Sequence, residues 1–203
     1  MYNIYFLNQV LTLADKPQAK SPMESKFFSD PSALTQWVNR WIEDENKIDT
    51  LLYGYPSQEM LNHLIKHFHF IEAAGGVVRN KTNNLLFIKR WGIWDLPKGK
   101  REKGEEIKNC ALREVNEETG VSSLQIIKPL PVSYHFYQHK KKIVLKKTYW
   151  FLMETDFKGT PVPQEQEDIT RAVWLDKAAC EQALSESYRS LRESLMNSIC
   201  KLI

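Results

Sequence analysis

Three glutamates define the chemistry open to this chain. Glu114, Glu117 and Glu118 stand at i, i+3 and i+4, so on a helix of 3.6 residues per turn they share one face. Carboxylates placed this way repel one another, and within the helix only Arg113, one turn before Glu117, offsets the charge. A solvated helix gains nothing from the arrangement. A hard divalent cation gains a great deal, because Mg²⁺ takes oxygen ligands and is commonly held by a few carboxylates together with substrate phosphates. The loop ahead of the helix, "PKGKREKGEE", brings Lys98, Lys100, Arg101 and Lys103 beside Gly99 and Gly104. Glycines allow close backbone approach, and cations bordering an acidic cluster suit a polyanionic, phosphate-bearing substrate.

The order of these residues is specific. Gly99, five residues, Glu105, seven residues, then Arg113-Glu114-Val115-x-Glu117-Glu118-x-Gly120-Val121 resembles a complete Nudix box. All seven fixed identities and both aliphatic positions are filled, which chance does not supply at ordinary residue frequencies. The resemblance implies a loop-helix-loop on an α/β/α sandwich, and hydrolysis of a diphosphate linked to another moiety. It implies Glu117 and Glu118 as metal ligands, with Glu114 either a third ligand or a base candidate. It further implies that Arg113 orients Glu117, that the Gly99 carbonyl touches the metal, and that Glu105 fixes the loop. The implied cofactor is Mg²⁺, with Mn²⁺ as the alternative; such an ion neutralises developing charge on phosphate and acidifies an attacking water. Many relatives draw a general base from a later loop. Here "PVPQEQEDITRAVWL" offers Glu165, Glu167 and Asp168, with Glu167 the first choice and a plain acidic loop or helix cap as the competing reading.

Substrate lies outside the box. The segment "AAGGVV…LLFIKRWGIWDLPKGK" resembles the branch acting on diadenosine polyphosphates and diphosphoinositol polyphosphates. Tyr137, 17 residues beyond Gly120, sits where diadenosine polyphosphate hydrolases often carry a tyrosine, while Pro131 is too early for the proline of ADP-ribose hydrolases. The expected reaction is therefore metal-dependent cleavage of a dinucleoside polyphosphate or related nucleotide. ADP-ribose or nucleotide-sugar cleavage and RNA 5′-end pyrophosphate removal stay open as alternatives. From a different class, a nucleotide sensor without catalysis also stays open, although an intact box argues against it. In "SYHFYQHKKKIVLKKTYW" strand alternation can send most aromatics to a core and most lysines to water. His135 and Tyr137 share a strand face and are the expected substrate contacts there, joined by Lys98 and Lys100 from the loop. Trp94 is expected in the core.

Positioning these groups requires a sheet and a helix. "MYNIYFLNQVLTL" predicts a hairpin, Asp15 to Ser25 a loop, Ser32 a cap for a helix to about Ile42, "IDTLLYGY" a strand, and Ser57 a cap for a second helix. That makes a β-β-α-β-α unit over residues 1–71, without a catalytic signature and expected to serve as a cap or dimerisation surface. From Glu72 the texture changes. "GVVRN" and "LLFIKR" predict strands joined by "KTNN"; "WGIWDLPKGK" predicts a loop; a helix runs from about Glu106 to Thr119 and is ended by Gly120. "SLQIIKPL", "SYHFYQ", "KKTYWFLMET" and "RAVWL" predict strands, and the tail from Asp176 one or two amphipathic helices. The expected class is α/β: a Nudix α/β/α sandwich with a mixed sheet over 72–203, preceded by the small leading domain.

Bulk properties set the remaining bounds. With 42% apolar and 26% charged residues, global disorder is excluded. A net charge of +3 is too small to imply nucleic-acid binding from bulk electrostatics. Cys110, Cys180 and Cys200 are odd in number and far apart, which predicts reduced thiols in the cytoplasm rather than a disulfide framework. The N-terminus lacks a basic n-region, and no apolar run approaches the roughly 20 residues of a membrane span. The expected partner is a small phosphorylated nucleotide, with no membrane, no nucleic acid, and a homodimer left open.

Overall fold

Alternation of large apolar side chains along the strands determines the layering of this protein. The computed structural model describes residues 1–18 and 23–200. In chain order the strands and helices are β1 (Tyr2–Phe6), β2 (Gln9–Leu13), β3 (Glu24–Phe27), α1 (Leu34–Glu43), β4 (Thr50–Tyr53), α2 (Ser57–His67), β5 (His69–Arg79), β6 (Leu85–Arg90), β7 (Ile93–Asp95) and β8 (Lys98–Lys100). They continue with α3 (Ile107–Thr119), β9 (Gln125–His139), β10 (Lys142–Glu154), β11 (Ile169–Leu175), α4 (Lys177–Ser185) and α5 (Arg189–Ile199). Two units form: residues 1–71 with 134–147, and residues 72–133 with 148–203. The sequence places 134–147 wholly with the second region. The structure gives it to the first, because Tyr134, Phe136 and Leu145 join the core built by Ile4, Leu11, Leu34, Leu52 and Leu64.

In the first unit β1 and β2 form an antiparallel hairpin, β2 pairs parallel with β4, and β4 with β3. β9 adds to β1 through Ile4–Tyr134 and Tyr5–His135. β3 corrects the expected loop: its sequence "ESKF" has no apolar alternation, and β4 supplies the ladder that makes it a strand. Residues 19–22 of that loop lie outside the described residues. Ser32 does not cap α1 by its side chain; it sits in a 3₁₀ turn over Pro31–Ala33 and its amide donates to Asp30 at 2.9 Å. Ser57 is the first residue of α2, and its amide is taken by the distant Asp15 carboxylate at 2.7 Å. The start of α2 is thus satisfied by an aspartate 42 residues away, which sequence-local capping rules do not locate, while Asp30 serves the 3₁₀ turn ahead of α1.

The second unit is a three-layer sandwich. Its sheet runs β11-β6-β5-β10-β9, with β7 on β6 and β8 on β5. Adjacent residues point to opposite faces. Val77, Leu85, Phe87 and Trp150 meet Cys180, Leu184, Leu191 and Leu195 of α4 and α5. Val78, Leu86 and Phe151 meet Cys110, Ala111 and Val115 of α3. The expected loop 91–100 contains two short strands, β7 and β8, held by Ile88–Asp95 and by Ala74–Gly99. The two strands expected between 123 and 138 are one, β9 (Gln125–His139), despite Pro129 and Pro131. Proline lacks the ladder donor and is tolerated where a second neighbour is absent, and both prolines precede Tyr134 and His135, where β9 pairs with β1. The tail resolves into α4 and α5, with 201–203 outside the described residues. Among the described residues no helix is long and apolar enough to cross a membrane.

α3 ends at Gly120, whose φ of +68° is left-handed and whose amide bonds back to the Asn116 carbonyl at 2.7 Å. A Cβ there meets Val162 at an ordinary 3.6 Å, so only the backbone conformation resists substitution. Gly120→Ala is expected to cost about 1 kcal/mol, the αL penalty of a residue with a side chain. A urea-unfolding midpoint equal to wild type would show that the turn relaxes freely.

Candidate active site

The acidic face of α3 lies against β8, and the contact depends on one missing side chain. Gly99 pairs with Ala74 on the sheet, and a Cβ placed on it would stand 1.8 Å from Glu114 Oε2 and 2.2 Å from Glu114 Cδ. The Glu114 carboxylate therefore occupies the volume that any other residue would fill. Glu114 is 6% exposed and Glu118 fully buried; Glu117, on the same face, is half-exposed. Burying carboxylates is unfavourable unless each meets donors. Burial pushes the Glu114 carboxyl up, against the pull of Arg113. Burial likewise pushes Glu118 up to about 7, against Lys98 and Arg90.

Two guanidiniums and one backbone amide supply the donors. Arg113 Nη1 donates to Glu114 Oε1 at 2.8 Å and to Glu117 Oε2 at 2.9 Å. Its other edge forks onto Glu105, Nε to Oε1 at 2.8 Å and Nη2 to Oε2 at 2.9 Å, and Nη2 also reaches the Lys100 carbonyl. Glu105 accepts the Glu102 amide as well, which closes the loop between β8 and α3. Arg101 ties that loop to β5 by donating to Glu72 at 2.6 Å, and Tyr149 donates to the same carboxylate. Glu118 Oε2 accepts the Lys98 amide at 2.8 Å, and Oε1 faces Arg90 Nη1 at 3.4 Å.

Arg90 links this cradle to the later acidic loop. Its Nη2 lies 3.2 Å from Glu167 Oε2. The loop is pinned to the end of α3 by Val162 N–H to the Thr119 carbonyl at 2.7 Å and Gln164 N–H to the Glu118 carbonyl at 3.2 Å. Glu165–Glu167 then form a 3₁₀ turn. Lys98 is largely enclosed, with 13% of its side chain exposed and its ammonium 2.6 Å from Asp95; burial pulls that group down, but Asp95 and Glu118 outweigh it, so it stays above its ordinary value.

The structure thus brings Gly99, Arg113, Glu114, Glu117, Glu118, Lys98 and Glu167 into one connected set. Lys100 contributes its carbonyl, with its side chain exposed. His135 and Tyr137 belong to the first unit, where His135 packs beside Tyr5 and Tyr137 lies under Lys146. Trp94 is 8% exposed and lies in the core with α4 and α5. Sequence reading missed Arg90 and Asp95. Asp95 stands at i–3 from Lys98 and was open to notice; Arg90 needed the strand register, which sets it opposite Ile169 beside the acidic turn. Cys110 and Cys180 are buried and all three cysteines are free; burial raises Cys110 to about 12, so it serves as packing.

Among the described residues no three acidic, imidazole or thiol groups converge closely enough to hold a metal ion as they stand. The cause is visible: Arg113 stands between Glu114 and Glu117, and Glu118 turns toward Lys98 and Arg90. The donor set is nonetheless all oxygen, with Glu114 and Glu118 buried and Glu117 open to water, and it is seated on a glycine that a Cβ would block, which fits a hard divalent cation.

A family model described as the NUDIX domain matches residues 69–194, more than half of the chain. Among curated proteins, Nudix hydrolase 6 of Arabidopsis thaliana is 28% identical over 141 residues, 65% of this chain and 47% of its own length. RNA pyrophosphohydrolase of Pelagibacter ubique is 33% identical over 92 residues, 39% of this chain and 58% of its own. The chain thus spans about half the length of these relatives. Among solved structures, a C. elegans Ap4A hydrolase binary complex superposes with a TM-score of 0.52 at 22% identity, covering 65% of this chain and 97% of that one. The E. coli dihydroneopterin triphosphate pyrophosphohydrolase gives 0.53 at 17%, covering 66% and 99%. These structures speak for the fold alone.

The Arg113–Glu105 fork holds the Glu105 carboxyl down at about 2 from an ordinary 4.5, through the Arg113 hydrogen bonds first. A carboxylate with a lowered folded pKa adds stability that is complete above its unfolded value and is lost as pH falls through the folded one. Glu105→Gln is expected to cost about 2 kcal/mol above pH 5, the scale of a charge-assisted pair. The gap from wild type should close between about pH 4.5 and 2 in chemical denaturation. A gap independent of pH would remove the ion pair from the explanation.

Proposed function

The chain belongs to the Nudix family, and on that premise we propose that it hydrolyses a diphosphate bond in a small phosphorylated nucleotide, with a dinucleoside polyphosphate as the first substrate class. The observation that carries this reading is the Glu114 carboxylate lying where a Gly99 side chain would be, with Glu118 buried beside it. Nudix hydrolases generally use divalent metal ions, and the residues that would hold one here are Glu114, Glu117, Glu118 and the Gly99 carbonyl, with Mg²⁺ the proposed ion and Mn²⁺ its substitute. When bound, such an ion screens phosphate charge, polarises the scissile P–O bond and acidifies water.

The chain's own groups then have distinct tasks. Arg113 orients Glu114 and Glu117 by holding one oxygen of each on a single Nη1. Lys98 and Arg90 face the same pocket of negative charge and offer cations to the substrate's phosphates. Glu167, half-exposed and steered by Arg90, takes the proton as a water oxygen attacks phosphorus and the bridging P–O bond breaks.

Glu118→Gln keeps the shape and removes the charge. Turnover of a dinucleoside polyphosphate with Mg²⁺ is expected to fall at least 100-fold with unchanged circular dichroism, and EDTA is expected to abolish wild-type turnover. A variant rate within threefold of wild type would contradict the ligand assignment. Burial pushes the Glu118 carboxyl up to about 7, and protons compete with a cation for a carboxylate. Cation affinity is therefore expected to weaken as pH drops from 8 to 6, and an affinity flat across that window would place the ion elsewhere.

A further inference from the structure

The turn between β6 and β7 is built against its own backbone preference. Arg90 pairs with Ile93, which leaves Trp91-Gly92 as a two-residue hairpin loop with φ of +50° and +79°. Positive φ at both central positions is the type I′ pattern, for which Asn-Gly is the preferred pair. A bulky aromatic at the first position is a genuine conformational outlier. Strained residues of this kind concentrate at functional sites, where the surrounding structure holds them in place.

Here the holding groups belong to the site. The Arg90 guanidinium stacks on the Trp91 ring with Cζ 4.7 Å from its centroid, and the same guanidinium reaches Glu118 and Glu167. The Trp91 amide donates to the Asp168 carbonyl at 3.3 Å, fixing the turn to the acidic loop. Despite these restraints the indole is 65% exposed. A large apolar side chain, held rigid by a cation on the edge of a phosphate-handling site and left open to water, contributes nothing to the core. Asparagine would serve the turn better.

We propose that Trp91 is a specificity residue, the stacking platform for the heterocyclic base of the nucleotide substrate, with Arg90 as the positioning residue that backs it. The inference rests on the reading of the site as a nucleotide hydrolase. Base–aromatic stacking tolerates any base, because every base has a π face, so Trp91 favours nucleotides as a class over base-free phosphates. A purine laid on the indole beside Arg90 keeps its phosphates within the reach of the carboxylate cradle.

The test uses the full chain and two probes in calorimetry: adenosine 5′-(α,β-methylene)triphosphate and inorganic tripolyphosphate, each with Mg²⁺. Trp91→Ala is expected to weaken the nucleotide about 10-fold and leave tripolyphosphate within twofold; Trp91→Phe should restore most of the difference. Trp91→Asn should raise the thermal midpoint by relieving the turn while losing the same nucleotide affinity. A purely structural tryptophan could not give that pairing. Equal weakening of both probes, or no weakening of either, overturns the proposal. Hydrolysis is scored separately: wild-type protein inert on every nucleotide tested defeats the enzyme reading, whereas active protein indifferent to Trp91 defeats only the platform.

Discussion

Crowding of negative charge on one turn of α3 is the constraint to which the second unit answers. Two of the three carboxylates are buried, and each buried oxygen requires a donor or a cation. The sequence meets that demand twice over. Arg113 serves Glu114 and Glu117 from within the helix while gripping Glu105 in the loop; Lys98 and Arg90 serve Glu118 from the sheet. The sandwich exists to bring those two supplies together: β8 delivers Gly99 and the Lys98 amide, β6 delivers Arg90, and the apolar stripe of α3 presses the acidic face toward both. Remove the stripe and the glutamates return to water, where dielectric screening weakens their pull on a cation.

The same arrangement explains why a cation site can be present without carboxylates already converged. Three unscreened glutamates repel one another, so Arg113 bridges Glu114 and Glu117 while Arg90 and the Lys98 amide turn Glu118 aside. On the proposed reading a divalent ion would have to displace Arg113 and Arg90 from these carboxylates. This makes the site a set of exchangeable ion pairs, and it keeps the helix stable before substrate and ion arrive. Arg90 has a further consequence, because its contacts with Glu118, Glu167 and Trp91 make it the hub between the carboxylate helix, the acidic turn and the exposed indole.

Much of this was legible in the chain itself. Spacing from Gly99 to Val121 identified the family, the helix and its αL end, and apolar alternation in "GVVRN" and "LLFIKR" identified two central strands. What escaped was information held between segments. β3 is a strand because β4 lies beside it; α2 begins on Asp15 and the 3₁₀ turn before α1 on Asp30; β7 and β8 hide in a glycine-containing loop; and β9 runs through two prolines that precede its pairing with β1. Arg90 belongs to the same class. Its role follows from register with β11, and no local pattern encodes a register. His135 and Tyr137 show the converse, since their strand alternation was readable while the unit that owns them was not.

Manganese resonance tests the central claim most directly, because Mn²⁺ takes the same oxygen ligands and its free-ion spectrum disappears on binding. Titrated into the full chain in the presence of a non-hydrolysable nucleotide, Mn²⁺ is expected to lose its free signal on wild-type protein. It should keep that signal on the Glu117→Gln/Glu118→Gln double variant, with both proteins equally folded. Identical free-ion signals for the two proteins would contradict the account, since the acidic face of α3 would then hold no cation.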